Sequence, residues 1–137
     1  MKKDLLNVVK SVTVWMIFSS TAFSQKEHLL ITTPKLKISY VEGVCDIESG
    51  KQPYEFAFLK VENLTGSELR AGFNIVTRFQ EGGTSTDENL YYITLAPSQV
   101  YTASCSSDDR SRIYLRNPNF SGAWHFQELR IENLVVE

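Results

Sequence analysis

Two adjacent carboxylate pairs, Asp87-Glu88 and Asp108-Asp109, and two histidines, His28 and His125, carry the side chains best suited to acid–base or metal chemistry. Paired carboxylates serve as acid and base in glycosidases. If the loops holding Asp87, Glu88, Asp108 and Asp109 met, the four would suit calcium, which prefers oxygen ligands. Their spacing does not match an EF-hand loop, and solvated loop charge is the plainer reading. His125 stands between Trp124 and Phe126, where it is a candidate base or ligand, or a rim histidine packed at the entry to a strand. His28 is assigned no role. Serines are plentiful, but the G-x-S-x-G elbow that presents a nucleophilic serine is absent. No residue is assigned as catalytic.

Aromatic side chains offer a second chemistry. Tyr91 and Tyr92 are adjacent, so a strand through them turns one outward. Tyr101, Tyr114 and Trp124 are further candidates for a ligand surface, since an exposed ring supplies area and a polar handle at small entropic cost. The structural alternative is that these rings stabilise cross-strand pairs. Arg112 and Arg116, at even spacing, are expected on one face of their strand.

The elements that must position these residues are strands. From residue 29 onward the apolar pattern has period two, and no helical period is evident. Arg70 to Gln80 alternates clearly, with Ala71, Phe73, Ile75, Thr77 and Phe79 on one side. Tyr54 to Asn63 is apolar on both faces, which predicts a central strand or a bulge near Phe58. Lys35 to Cys45 turns Leu36, Ile38, Tyr40 and Val44 inward, with Glu42 as an exception in that row. Further strands are expected at 90–95, 100–105, 112–116 and 126–136, separated by polar or Gly- and Pro-bearing turns. Glu81 to Asn89 reads as a long loop. Seven to eight antiparallel strands in one all-β domain predict a β-sandwich, with an immunoglobulin-like form favoured. The Trp between the cysteines that an antibody-type core requires is missing.

Residues 1–24 read as a cleavable signal peptide rather than as part of the fold. Lys2, Lys3 and Lys10 precede a short apolar run, and Ala22 and Ser24 supply the small residues ahead of a cut. The run is shorter than the roughly 20 residues a bilayer-spanning helix needs. The domain is then residues 25–137, exported to the periplasm or secreted. Both Met residues belong to the leader. The remaining chain is mildly acidic, which argues against nucleic acid as a partner. Export also favours a disulfide between Cys45 and Cys105, the only cysteines, over a metal or redox site. Two Asn-x-Ser/Thr patterns, Asn63-Leu64-Thr65 and Asn119-Phe120-Ser121, match glycosylation acceptors but arise often by chance.

From Cys45-Asp46 through Phe56-Ala57-Phe58-Leu59-Lys60-Val61-Glu62-Asn63, the chain resembles small exported proteins of unknown function from Bacteroidetes-type bacteria. The later turn Leu95-Ala96-Pro97-Ser98, a second Cys beyond it, and the leader end Phe23-Ser24-Gln25 are similar to theirs. The resemblance implies an immunoglobulin-like extracytoplasmic module and carries no activity or cofactor. The resulting expectation is a non-enzymatic binding or interaction module for a protein or glycan. The alternatives are a structural accessory subunit of an envelope assembly, and a small hydrolase using loop carboxylates with His125.

Overall fold

In a computed structural model the described residues are 26–119, 122 and 125–137. The expected signal peptide and Trp124 lie outside them. The described chain is all-β, with nine strands: β1 (Glu27–Thr32), β2 (Leu36–Cys45), β3 (Tyr54–Asn63), β4 (Leu69–Phe79), β5 (Thr84–Ser85), β6 (Tyr91–Leu95), β7 (Val100–Thr102), β8 (Arg112–Arg116) and β9 (Phe126–Val136). The count exceeds the seven or eight expected. His28 lies within β1, and Thr84-Ser85 makes a two-residue rung inside the expected long loop. The strand expected over 100–105 stops at Thr102, leaving Cys105 in a turn.

The strands form two antiparallel sheets. In the first, β1, β2 and β3 run as a meander, and the far edge of β3 is shared by β7 and β8. In the second, β4 is central, with β9 along one edge and β6 and β5 along the other. The central place of β3 accounts for its two apolar faces. Leu59 and Val61 point between the sheets and are fully buried. Phe56 and Phe58 point the other way and are covered on the outer face, where the Arg112 guanidinium lies 4.9 Å from the Phe56 ring centre. Gly43 lies directly across from Phe56, and the Phe58 ring occupies the space a side chain at Gly43 would need.

Between the sheets the core is Leu36, Ile38, Leu59, Val61, Phe73 and Leu95, all nearly or fully buried. Burying a side chain of this kind stabilises the fold by about 1.5–3 kcal/mol. At one end of the sandwich, two crossings between the sheets meet at Asn63. Its Nδ2 donates to Ser67 O at 2.8 Å and to Ala96 O at 2.9 Å, while its Oδ1 accepts from Thr65 N at 2.9 Å. Its own backbone N–H donates to Gln99 O. The other end of the sandwich is tied on its outer side by the Cys45–Cys105 disulfide, whose Cα atoms are 5.6 Å apart. Within the described residues no helix is long and apolar enough to cross a membrane.

Candidate functional site

The end of the sandwich away from Asn63 holds a cleft of about 480 Å³, opening between β2, β3 and β8 of one sheet and the start of β9 in the other. That volume falls in the range of small-molecule sites. The cleft exists because the inward row of β2 outruns the core. Leu36, Ile38 and Tyr40 are buried, but the next inward residues, Glu42 and Val44, are exposed, Val44 by 59%. Glu42, the exception in the sequence pattern, therefore stands at the mouth of the opening. Val44, Leu115 and Phe126 supply its apolar lining.

Arg116 reaches this cleft through a bulge. β8 pairs Tyr114 with Phe56 and Arg116 with Glu55, so Leu115 and Arg116 together oppose the single residue Glu55. A bulge of this kind turns two successive side chains toward one side and re-aims the strand end. Leu115 and Arg116 accordingly both line the cleft. Arg112, which the even spacing placed on the same face, instead covers Phe56 on the outside. Simple alternation misses the bulge, and with it the meeting of Arg116 and Glu55.

Across the sheet, Val44, Glu55 and Arg116 form one row over β2, β3 and β8. Among the described residues neither Glu55 nor Arg116 takes part in an ion pair. Glu42 has His28 Nε2 at 3.8 Å, and the His28 ring stacks on Tyr40 at 4.6 Å. Tyr40 in turn meets Phe126 edge-on, closing the β1–β9 side of the cleft.

His125 also lines this opening, and it is held. Its backbone N–H donates to both Glu81 carboxylate oxygens, at 3.1 and 3.0 Å, and its Nδ1 meets Glu81 Oε1. The His125 ring beside Glu81 is the leading cause that holds the Glu81 carboxyl below its ordinary range. Gln80 N–H donates to His125 O at 2.9 Å, so the same residues pin the end of β4 to the start of β9. The His125 side chain itself remains mostly exposed.

Of the four loop carboxylates, Asp87 and Asp109 line a different depression, of about 250 Å³, together with Arg110. The two polar loops do meet there, through arginine. Arg110 Nε donates to Asp87 Oδ2 at 3.1 Å and Nη2 donates to Asn89 O at 2.6 Å. Arg112 Nη2 donates to Asp109 Oδ1 at 3.1 Å. Asp108 Oδ1 is taken up by the Arg110 and Ser111 N–H groups, each at 3.0 Å. Glu88 is exposed. Among the described residues no three His, Cys, Asp or Glu side chains gather where they would hold a metal ion.

The four tyrosines do not make one exposed patch. Tyr91 points inward against Phe73 at 5.6 Å, and burial pushes its hydroxyl up to about 12. Tyr101 is half-buried, its hydroxyl 3.1 Å from Ser111 Oγ. Tyr92 lies on the outer face of the second sheet, beneath the Arg70 guanidinium at 4.2 Å. Tyr114 lies on the outer face of the first sheet, packed edge-on to Tyr54 and Phe56, and burial raises its hydroxyl as well. Of the two glycosylation patterns, Asn63 is buried with its amide fully engaged, and Asn119 is exposed and bonded to Gln52.

No protein-family model, curated protein or solved structure matches this chain.

Proposed function

We infer that the protein is an exported, non-enzymatic β-sandwich of the periplasm or cell surface, serving as a binding or interaction module for a protein or glycan partner. The observation that carries this reading is the cleft at the Cys45 end, where Glu55 and Arg116, neither in an ion pair among the described residues, share a lining with Val44, Leu115 and Phe126. Glu55 and Arg116 are direct cross-strand neighbours, so both stand on the same stretch of the lining and can meet one ligand together. Export is supported by the intramolecular disulfide, which persists in oxidising compartments.

The immunoglobulin-like assignment belongs to the same reading, supported by two packed antiparallel sheets between which the chain crosses repeatedly. It extends to architecture rather than strand order, because β1, β2 and β3 are consecutive neighbours here, unlike the first sheet of immunoglobulin constant domains.

The hydrolase alternative needs His125 beside Asp87, Glu88, Asp108 or Asp109. His125 and the pair Asp87 and Asp109 line separate depressions, which favours the non-enzymatic reading. The accessory-subunit alternative would recruit a neighbour through an edge strand. β9 pairs with β4 alone, but its edge is interrupted at Asn133, at a left-handed φ of 53°, and carries alternating charges. Such features blunt an edge against pairing.

The test presents the disulfide-bonded protein, its Val44→Asp variant and its His125→Ala variant to a glycan array, an envelope extract and a panel of hydrolase substrates. Retention of a defined partner that Val44→Asp abolishes supports the module. Turnover of any substrate that His125→Ala abolishes overturns it.

A further inference from the structure

The unpaired charges of the cleft differ in sign and are spaced by the sheet itself. Arg116 and Glu55 are direct cross-strand neighbours on its inner lining. Such neighbours have Cβ atoms about 5 Å apart. Glu42 adds a second carboxylate one inward step from Val44 along β2, and Val44, Leu115 and Phe126 make the apolar part of the lining. The opening thus offers a cation, carboxylates and a hydrocarbon surface within the span of one small molecule.

These groups do not suit a purely anionic or a purely cationic ligand. An anion at Arg116 would meet Glu55 beside it, and a cation at Glu55 would meet Arg116. A ligand carrying both charges on neighbouring atoms answers both. We propose that the cleft binds the zwitterion of a free α-amino acid with an apolar side chain. Its carboxylate accepts from the Arg116 guanidinium, its ammonium donates to Glu55 and Glu42, and its side chain lies on Val44, Leu115 and Phe126.

Arginine suits the carboxylate half because its planar fork donates two parallel hydrogen bonds. The competing state, in which Arg116 swings onto Glu55, is a solvent-exposed ion pair worth about 0–1 kcal/mol, so a ligand displaces it at little cost. The bulge at Leu115–Arg116 is the device that makes the site. Without it, Arg116 would project to the outer face, and Glu55 and Glu42 would face the cleft with no guanidinium beside them. This ligand class rests on the binding-module reading, and it fails separately from that reading.

The experiment is an amide-resolved NMR titration of the oxidised protein with L-leucine, N-acetyl-L-leucine and L-leucinamide. L-leucine is expected to move the Val44, Glu55 and Arg116 amides saturably. N-acetyl-leucine lacks the ammonium and leucinamide lacks the carboxylate, so each is expected to bind at least about tenfold more weakly. Arg116→Gln should weaken leucine and leave leucinamide unchanged. Glu55→Gln should weaken leucine and leave N-acetyl-leucine unchanged. Both substitutions lie on the cleft lining outside the buried core, and unchanged melting temperatures verify folding.

Equal binding of all three compounds, or no movement of the cleft amides, overturns the proposal. Tighter binding of trileucine than of leucine overturns the free amino acid in favour of a peptide end. If leucine fails while Val44→Asp still abolishes capture of a macromolecular partner, the ligand class falls and the module stands. If leucine fails and nothing is captured, both fall.

Discussion

The side-chain amide of Asn63, at the end of β3, donates to the carbonyl of Ala96, in the turn that returns the chain from the second sheet to the first, at 2.9 Å. The same amide holds Ser67 O in the turn that leaves the first sheet. One buried side chain therefore fastens both crossings, and its carbonyl is spent on the Thr65 N–H and hydroxyl.

Replacing Asn63 by Ala takes the side-chain partner from the Ala96 carbonyl and the Thr65 N–H, while Ser67 O keeps only the Thr65 hydroxyl. Leaving a buried polar group without a partner costs about 1–3 kcal/mol. Asn63→Ala is expected to lower unfolding free energy by about 2–3 kcal/mol. Urea melts check this, with the midpoint falling and the slope unchanged. A loss no larger than that of an exposed Asn119→Ala control would show that the two crossings hold without it. A glycan on Asn63 of the folded protein is not expected, since the residue is 1% exposed.

Most strands were legible because their faces alternate, and the failures share a physical cause. β2, β3 and β8 match the apolar pattern because each buries a row of every second residue. β9 follows it only through Leu129 and Ile131: a register shift at Asn133-Leu134 then turns Leu134 and Val136 to the core and leaves Val135, which plain alternation places inward, 42% exposed. β1 escapes the pattern at its start, since what holds Glu27 is charge rather than apolar burial: the carboxylate reaches Ser39, Lys37 and Lys60 on two neighbouring strands. Thr84-Ser85 carries no apolar residue and pairs only through its backbone with β4. Arg116 changed faces because a bulge breaks period two, and nothing in the residue types at 112–116 marks it. One sign of the cleft was present in the sequence. Glu42 breaks an otherwise apolar inward row, and an inward carboxylate needs either a partner or water.

The disulfide closes a loop across a sequence separation of 60, tying the end of β2 to the turn that follows β7. In the chain-entropy account, a loop of that length contributes about 4 kcal/mol by restricting the unfolded chain. The Cys45→Ala/Cys105→Ala double variant is expected to lose about that much in a chemical melt. Non-reducing mass spectrometry should find the native chain two hydrogens lighter than its reduced form. Two free thiols in protein recovered from the cell envelope would remove the staple and the support it lends to export.

Gly43 and Phe58 share a single space on the outer face. A Cβ at Gly43 collides with the Phe58 ring, and that ring is itself 92% buried, with little room to yield. Gly43→Ala is expected to cost about 1–3 kcal/mol, as overpacking typically does. Phe58→Leu removes the ring edge, so the double variant should be more stable than the sum of the single losses implies, by about 1 kcal/mol or more. Strict additivity in this cycle would place the cost of the alanine somewhere other than the ring.

Glu27 gives the fold a pH dependence of predictable sign. Hydrogen bonds from the Ser39 hydroxyl, and then from Lys37 and Lys60, lower its carboxyl from the ordinary 4.5 to about 2. A carboxyl depressed in the folded state contributes its full stabilisation above its unfolded value and loses it as pH falls through the folded one. Wild type should therefore exceed Glu27→Gln in stability by a constant margin above about pH 5, and the margin should close between pH 4.5 and about 2. The side chain is one-third exposed, at 33%, so solvent screening holds the margin below about 1 kcal/mol. Added salt should shrink it further, since the lysine contacts are screened while the Ser39 bond is not. Paired thermal melts of the two proteins from pH 7 to pH 2 measure the margin directly. A margin that widens toward low pH would have the wrong sign, and would mean that the carboxylate is less favourable in the folded state than in the unfolded chain.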